Sequence, residues 1–148
     1  MRLLAVALIL VLVGPAAGLD ATWDRFDDSV VDWPCVREPG LMLVVDWLPG
    51  GMWGSYRPWF PGGLVQVRSD APAWVAVHEF AHHLWSVCHV ERRLLGRRFL
   101  AAVDSVSWGY REREWFAATL TWLLTGRGRQ DIRRDAAPTL TVLLTERR

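Results

Sequence analysis

The sequence predicts an α+β domain in which a small, mostly antiparallel sheet precedes two long helices and a short closing one. Three observations lead there. Apolar runs at residues 41–45 and 64–67 are each bounded by Pro-Gly turns. From Asp70 onward the apolar spacing changes to threes and fours, the helical period. The chain has 148 residues, 51% of them hydrophobic and 10 of them Trp, which is material for one packed core and excludes a disordered or collagen-like chain.

At the N-terminus, Arg2 is followed by an apolar run from Leu3 to Val13 and then by Gly14-Pro15-Ala16-Ala17-Gly18, the pattern of a signal peptide. The run makes about 16 Å of helix, roughly half a bilayer core, so removal before Leu19 is preferred over a permanent anchor. Residues 1–18 are then the signal peptide and residues 19–148 a single exported domain, secreted or extracytoplasmic, monomeric, and without stable membrane insertion. The whole chain carries a formal charge of +1, which falls to zero without Arg2. That leaves no excess cation for a polyphosphate chain, and nucleic acid is excluded as a partner. Export makes a Cys35–Cys88 disulfide the default, with two free thiols as the alternative. The bond would close a loop of about 50 residues, worth roughly 3 to 4 kcal/mol.

Residues 20–33 are acidic and aromatic with little period, and predict a short irregular wrap. Leu41–Val45 and Leu64–Val67 read as strands. The loop between them holds Trp47, Trp53, Tyr56, Trp59 and Phe60, and either lines a cleft or lids the core. A helix starts from Asp70 and Pro72, with Trp74, Val77, Ala81, Leu84 and Trp85 on its apolar side. Arg92, Arg93, Arg97 and Arg98, interleaved with Leu94, Leu95, Phe99 and Leu100, form a solvated amphipathic face. A second strong helix runs from Trp108 to Thr125 and stops at Gly126. Arg127 to Asp135 is a mixed-charge connector, and Pro138 starts a last helix whose Leu140, Leu143 and Leu144 close the core.

The first long helix holds His78-Glu79-Phe80-Ala81-His82, an HExxH arrangement. Residues four apart lie one turn along a helix on one face, so the two imidazoles converge on one ion. Glu79, one residue from its neighbour ligand, suits a general base acting on water at that ion. A catalytic zinc needs a third protein ligand. A His six residues after His82 would supply it in metzincins, but Cys88 stands there and His89 is one residue out of frame, at the surface.

The His78-Glu79-Phe80-Ala81-His82 helix followed by a Glu on a second helix resembles the gluzincin metallopeptidases. Ser107-Trp108-Gly109-Tyr110 leading to Glu112-Arg113-Glu114-Trp115-Phe116-Ala117 is similar to the third-ligand segment of the lethal-factor-type toxin peptidases. The resemblance spans about residues 64–125 and implies a minimal zincin-like domain, with Glu114 as third zinc ligand and Tyr110 supporting the developing oxyanion. Two positions depart from the pattern. His83 stands where a small or apolar residue is usual, and Ala118 where an acidic residue would orient a ligand His, unless Asp104 substitutes. Glu112 is the rival third ligand. It lies about 200° around the helix from Glu114, so only one faces the metal. Glu114 shares its side with Ala117, Ala118, Thr121 and Trp122 and is preferred; Glu112 sits between Arg111 and Arg113 at the helix start.

The expected function is that of an exported zinc metallopeptidase acting on a peptide or protein. Zinc (Zn2+) on His78, His82 and Glu114 activates a water, Glu79 takes its proton and returns it to the leaving amine, and Tyr110 assists. The alternative is a catalytically decayed zinc-binding scaffold serving as an interaction protein.

Overall fold

The computed structural model describes residues 13–14 and 17–145, so most of the predicted signal segment lies outside the described residues. Along the chain follow β1 (Val13–Gly14), α1 (Ala17–Asp27), β2 (Leu41–Val45), β3 (Gly54–Arg57), β4 (Leu64–Arg68), α2 (Trp74–Val87), α3 (Leu94–Ala102), α4 (Tyr110–Thr125) and α5 (Ala137–Leu140). The arrangement is mixed α+β, as the sequence predicts. Among the described residues no helix is long and apolar enough to cross a membrane.

The sheet order is β1-β2-β4-β3, and its centre corrects the expectation of a mostly antiparallel sheet. The two strands legible in the sequence, β2 and β4, are parallel neighbours, with Leu41 opposite Leu64 and Val45 opposite Arg68. Antiparallel pairing is confined to the outer pairs, β1 with β2 and β3 with β4. The cause is β3, a strand inside what the sequence presents as an aromatic loop. It folds back on β4, placing Gly54 opposite Val67 and Arg57 opposite Leu64. Because β2, β3 and β4 alternate in direction and β3 takes one side of β4, β2 fills the other side and runs the same way as β4.

The expected irregular wrap is also corrected. Residues up to Asp27 belong to α1, whose Leu19, Trp23 and Phe26, followed by Val30, recur at helical spacing and are buried. Trp23 meets Phe80 of α2 edge-on, with ring centroids 5.0 Å apart. The helix α2 begins at Trp74 rather than Asp70 and buries Val75, Ala76, Val77, Phe80, Ala81 and Leu84. A helix apolar around most of its circumference is central. Accordingly α2 packs against α1, β3, β4 and α4 together. The helix α4 contributes Phe116, Ala117 and Leu120 to the core and ends on Gly126, whose φ of 69° is the left-handed turn that favours glycine. In α3, Leu95, Phe99 and Leu100 are buried while Arg97 and Arg98 face solvent, and the closing α5 buries Leu140.

His83 explains one departure from the gluzincin pattern. It is fully buried, and its Nε2–H donates to the carbonyl of Arg37 at 2.7 Å, which fixes the tautomer. Its Nδ1 then accepts the Tyr56 hydroxyl at 3.3 Å. A polar residue here ties α2 to both the segment before β2 and to β3. Gly63, with φ of 86°, lets the backbone pass this cluster, because a Cβ there would lie 2.9 Å from His83 Nδ1.

Cys35 and Cys88 are joined by a disulfide, linking the segment before β2 to the residue after α2 across 53 positions. Arg93 seals the bond from outside, donating to the Cys88 carbonyl at 2.7 Å while its guanidinium covers Trp33 at 4.4 Å. Closing a loop of this length stabilises a fold by about 4 kcal/mol in the chain-entropy account. The double variant Cys35→Ser, Cys88→Ser is expected to lose most of that in urea unfolding; an unchanged midpoint would show that packing alone holds the segment.

Candidate metal centre

Two turns of α2 and the second turn of α4 bring three side chains to one point. His78 and His82 lie on one face of α2, and Glu114 reaches them from α4. The ligand-capable atoms of this group all lie within 4.8 Å of one another. His78 Nε2 is 3.2 Å from His82 Nε2 and 3.3 Å from one Glu114 carboxylate oxygen, and His82 Nε2 is 3.1 Å from the other oxygen. An ion bound tetrahedrally at about 2.0 to 2.1 Å separates its ligands by about 3.3 Å, so a His2Glu donor set with these spacings fits zinc and leaves a fourth position for a small molecule.

The electrostatics favour the metal-binding forms of the donors. Burial lowers the pKa of His78, keeping its imidazole neutral. Burial pushes the Glu114 carboxyl up, but the hydrogen bonds from His78 and His82 outweigh it and hold the carboxyl well below its ordinary range. A neutral imidazole and an ionised carboxylate are the states that ligate.

Glu79 is 6% exposed, and its burial pushes its pKa up to about 7, where a carboxylate both accepts and returns a proton near neutrality. Its surroundings include a feature without a sequence signal. A Cβ on Gly54 would lie 2.5 Å from a Glu79 carboxylate oxygen, so the β3 backbone approaches the acid directly and glycine keeps the room for it.

Tyr110, the first residue of α4, is exposed on the rim. The Glu114 charge and partial burial raise its pKa, so its hydroxyl stays a donor. The centre lies in a cavity of about 600 Å³ lined also by Trp53, Tyr56, Trp74, Trp85, Arg113 and Arg129. Thus Trp53 and Tyr56 of the aromatic loop line a cleft, one of its two expected roles, while Trp47 and Trp59 are exposed outside it.

The structure leaves other candidates outside the centre. Glu112 accepts the Gly109 N–H at 3.0 Å, the Ser105 hydroxyl at 3.2 Å and the Arg111 guanidinium at 3.1 Å; it fastens the start of α4 instead of meeting the histidines. Hydrogen bonds from its own backbone N–H and these partners lower its pKa. His89 is exposed, in the left-handed region at φ 48°, beside Glu91. Asp104 does not substitute for an acid at Ala118. It is exposed at φ 57°, and the buried His78 Nδ1 has no hydrogen-bond partner.

No family model, curated protein or solved structure matches the chain. The reading of the centre therefore rests on its own geometry. Arg113, Arg129 and Gly54 are among the lining residues that the sequence did not single out, and only the Trp-Gly punctuation around residue 54 offered a hint.

Proposed function

We propose that the protein is a zinc-dependent metallopeptidase of the gluzincin type, similar to the lethal-factor-type toxin peptidases, acting outside the cytoplasm on peptide or protein substrates. The observation that carries this reading is the convergence of His78, His82 and Glu114 beside a buried Glu79 at an open cleft. A structural zinc site is closed by a fourth protein ligand and has no use for a base.

An ion held there supplies Lewis-acid polarisation and lowers the pKa of water. Glu79, itself largely buried at the floor of the cleft, accepts the proton of the attacking water and returns it to the leaving amine nitrogen. Tyr110 donates its hydroxyl to the substrate carbonyl oxygen as negative charge develops. The aromatic wall of Trp53, Tyr56 and Trp74 seats apolar substrate parts and excludes bulk water.

One observation favours the second reading, a decayed scaffold: His78 Nδ1 lacks the acceptor that commonly orients a ligand imidazole. Metal analysis of purified residues 19–148, followed by exposure of the loaded protein to an unbiased peptide library, decides between them. About one zinc per chain with cleavage supports the peptidase; one zinc without cleavage supports the scaffold; no zinc overturns both.

A further inference from the structure

Two cations on the cleft wall take no part in the metal centre. Arg113 from the first turn of α4 and Arg129 from the connector after it line the cavity together with His82, Glu114 and Tyr110. Other arginines are engaged: Arg68 with Asp70, Arg111 with Glu112 and Arg133 with Asp135. Among the described residues neither the Arg113 nor the Arg129 guanidinium has a side-chain hydrogen bond or ion pair. Arg113 lies with its guanidinium over the Trp85 ring, 4.6 Å from the centroid. That contact uses the flat face and leaves the N–H edge free to donate, while fixing the side chain in advance.

The residues that β3, the residue before it and the first turn of α2 bring to the cavity, among them Trp53, Tyr56 and Trp74, are uncharged and largely aromatic. The cleft is therefore asymmetric, with apolar rings from one set of elements and two unengaged guanidinium groups from the other. A guanidinium presents paired N–H groups that match the two oxygens of a carboxylate.

We propose that Arg113 and Arg129 form a carboxylate-binding subsite that selects peptides carrying an acidic side chain or a free C-terminus beside the bond held at the metal centre. The inference rests on the peptidase reading for its choice of a peptide ligand. Charge-assisted hydrogen bonds of this kind favour the carboxylate over its amide by about tenfold or more.

The test uses the zinc-loaded Glu79→Gln protein and calorimetric binding of four N-acetylated peptides of one apolar sequence: free acid, C-terminal amide, and amidated forms with Glu or Gln near the middle. Tighter binding of the free acid than the amide identifies the C-terminus as the ligand; tighter binding of the Glu than the Gln form identifies a side chain. Arg113→Gln and Arg129→Gln should each reduce the preference with zinc content unchanged, and Arg127→Gln, outside the cleft, should not. Equal binding of all four peptides, no binding of any, or a preference that survives the double Arg113→Gln, Arg129→Gln variant would overturn the subsite. Wild-type cleavage is scored separately. A carboxylate preference in a protein that cleaves nothing sinks the peptidase and leaves the subsite standing, and cleavage without preference does the reverse.

Discussion

Glu79→Gln is expected to keep its zinc and its fold while peptide hydrolysis falls by about 10² to 10⁴-fold or more. The amide is nearly isosteric with the carboxylate and removes only the charge that accepts a proton. Glu79 is not one of the three ligand-capable residues, so metal content should not follow the substitution. The room left by Gly54 admits the amide as it admits the acid. The measurement is the rate on a peptide cleaved by the wild type, with zinc determined in both proteins by the same metal analysis. Equal rates would assign the activity to a contaminant or to another site.

The second large effect concerns the metal. His78→Ala and His82→Ala should each leave two donors on an ion that needs three, and Glu114→Ala should do the same from the other helix. Loss of an outer hydrogen-bond partner weakens metal affinity by roughly 10 to 100-fold, and loss of a ligand should exceed that. Glu112→Ala is the informative comparison, because Glu112 is more buried than His82 or Glu114 yet bonds only around the start of α4. It should loosen that helix end and retain zinc. A competition titration with a chromophoric chelator checks the order; stoichiometric tight zinc in all of the ligand variants would remove the site.

The centre was legible because its chemistry is written at short range. His78, Glu79 and His82 owe their relation to the pitch of one helix, and the same pitch separates Glu114 from Glu112. The disulfide followed from a paired count of cysteines. Parallel pairing of β2 with β4 was not legible, since it depends on β3, whose four residues are all partly buried and show no alternation. The period of α1 was hidden by Asp20, Asp24, Asp27 and Asp28, which occupy its solvent side and dominate the local composition. Arg129 was invisible for another reason. A connector's path over a cleft depends on where both flanking helices dock, which no local pattern encodes.

Cys35 and Cys88 make the intervening chain a covalent ring, and the ring contains all of β2, β3, β4 and α2. Glu114 lies outside it. A protease that cuts once in the exposed turn at residues 49–53 opens the ring without releasing a fragment, because both new ends remain tied through the sulfurs. His78, His82 and Glu114 all follow the cut on one backbone and stay together, while the preceding part, with α1 and β2, remains attached until a second event, another cut or reduction of the bond, releases it. The nicked protein would run as one band without reductant and as two with it. A single backbone cut in this loop therefore leaves the chain one covalent molecule, and its two pieces part only when the disulfide is reduced as well.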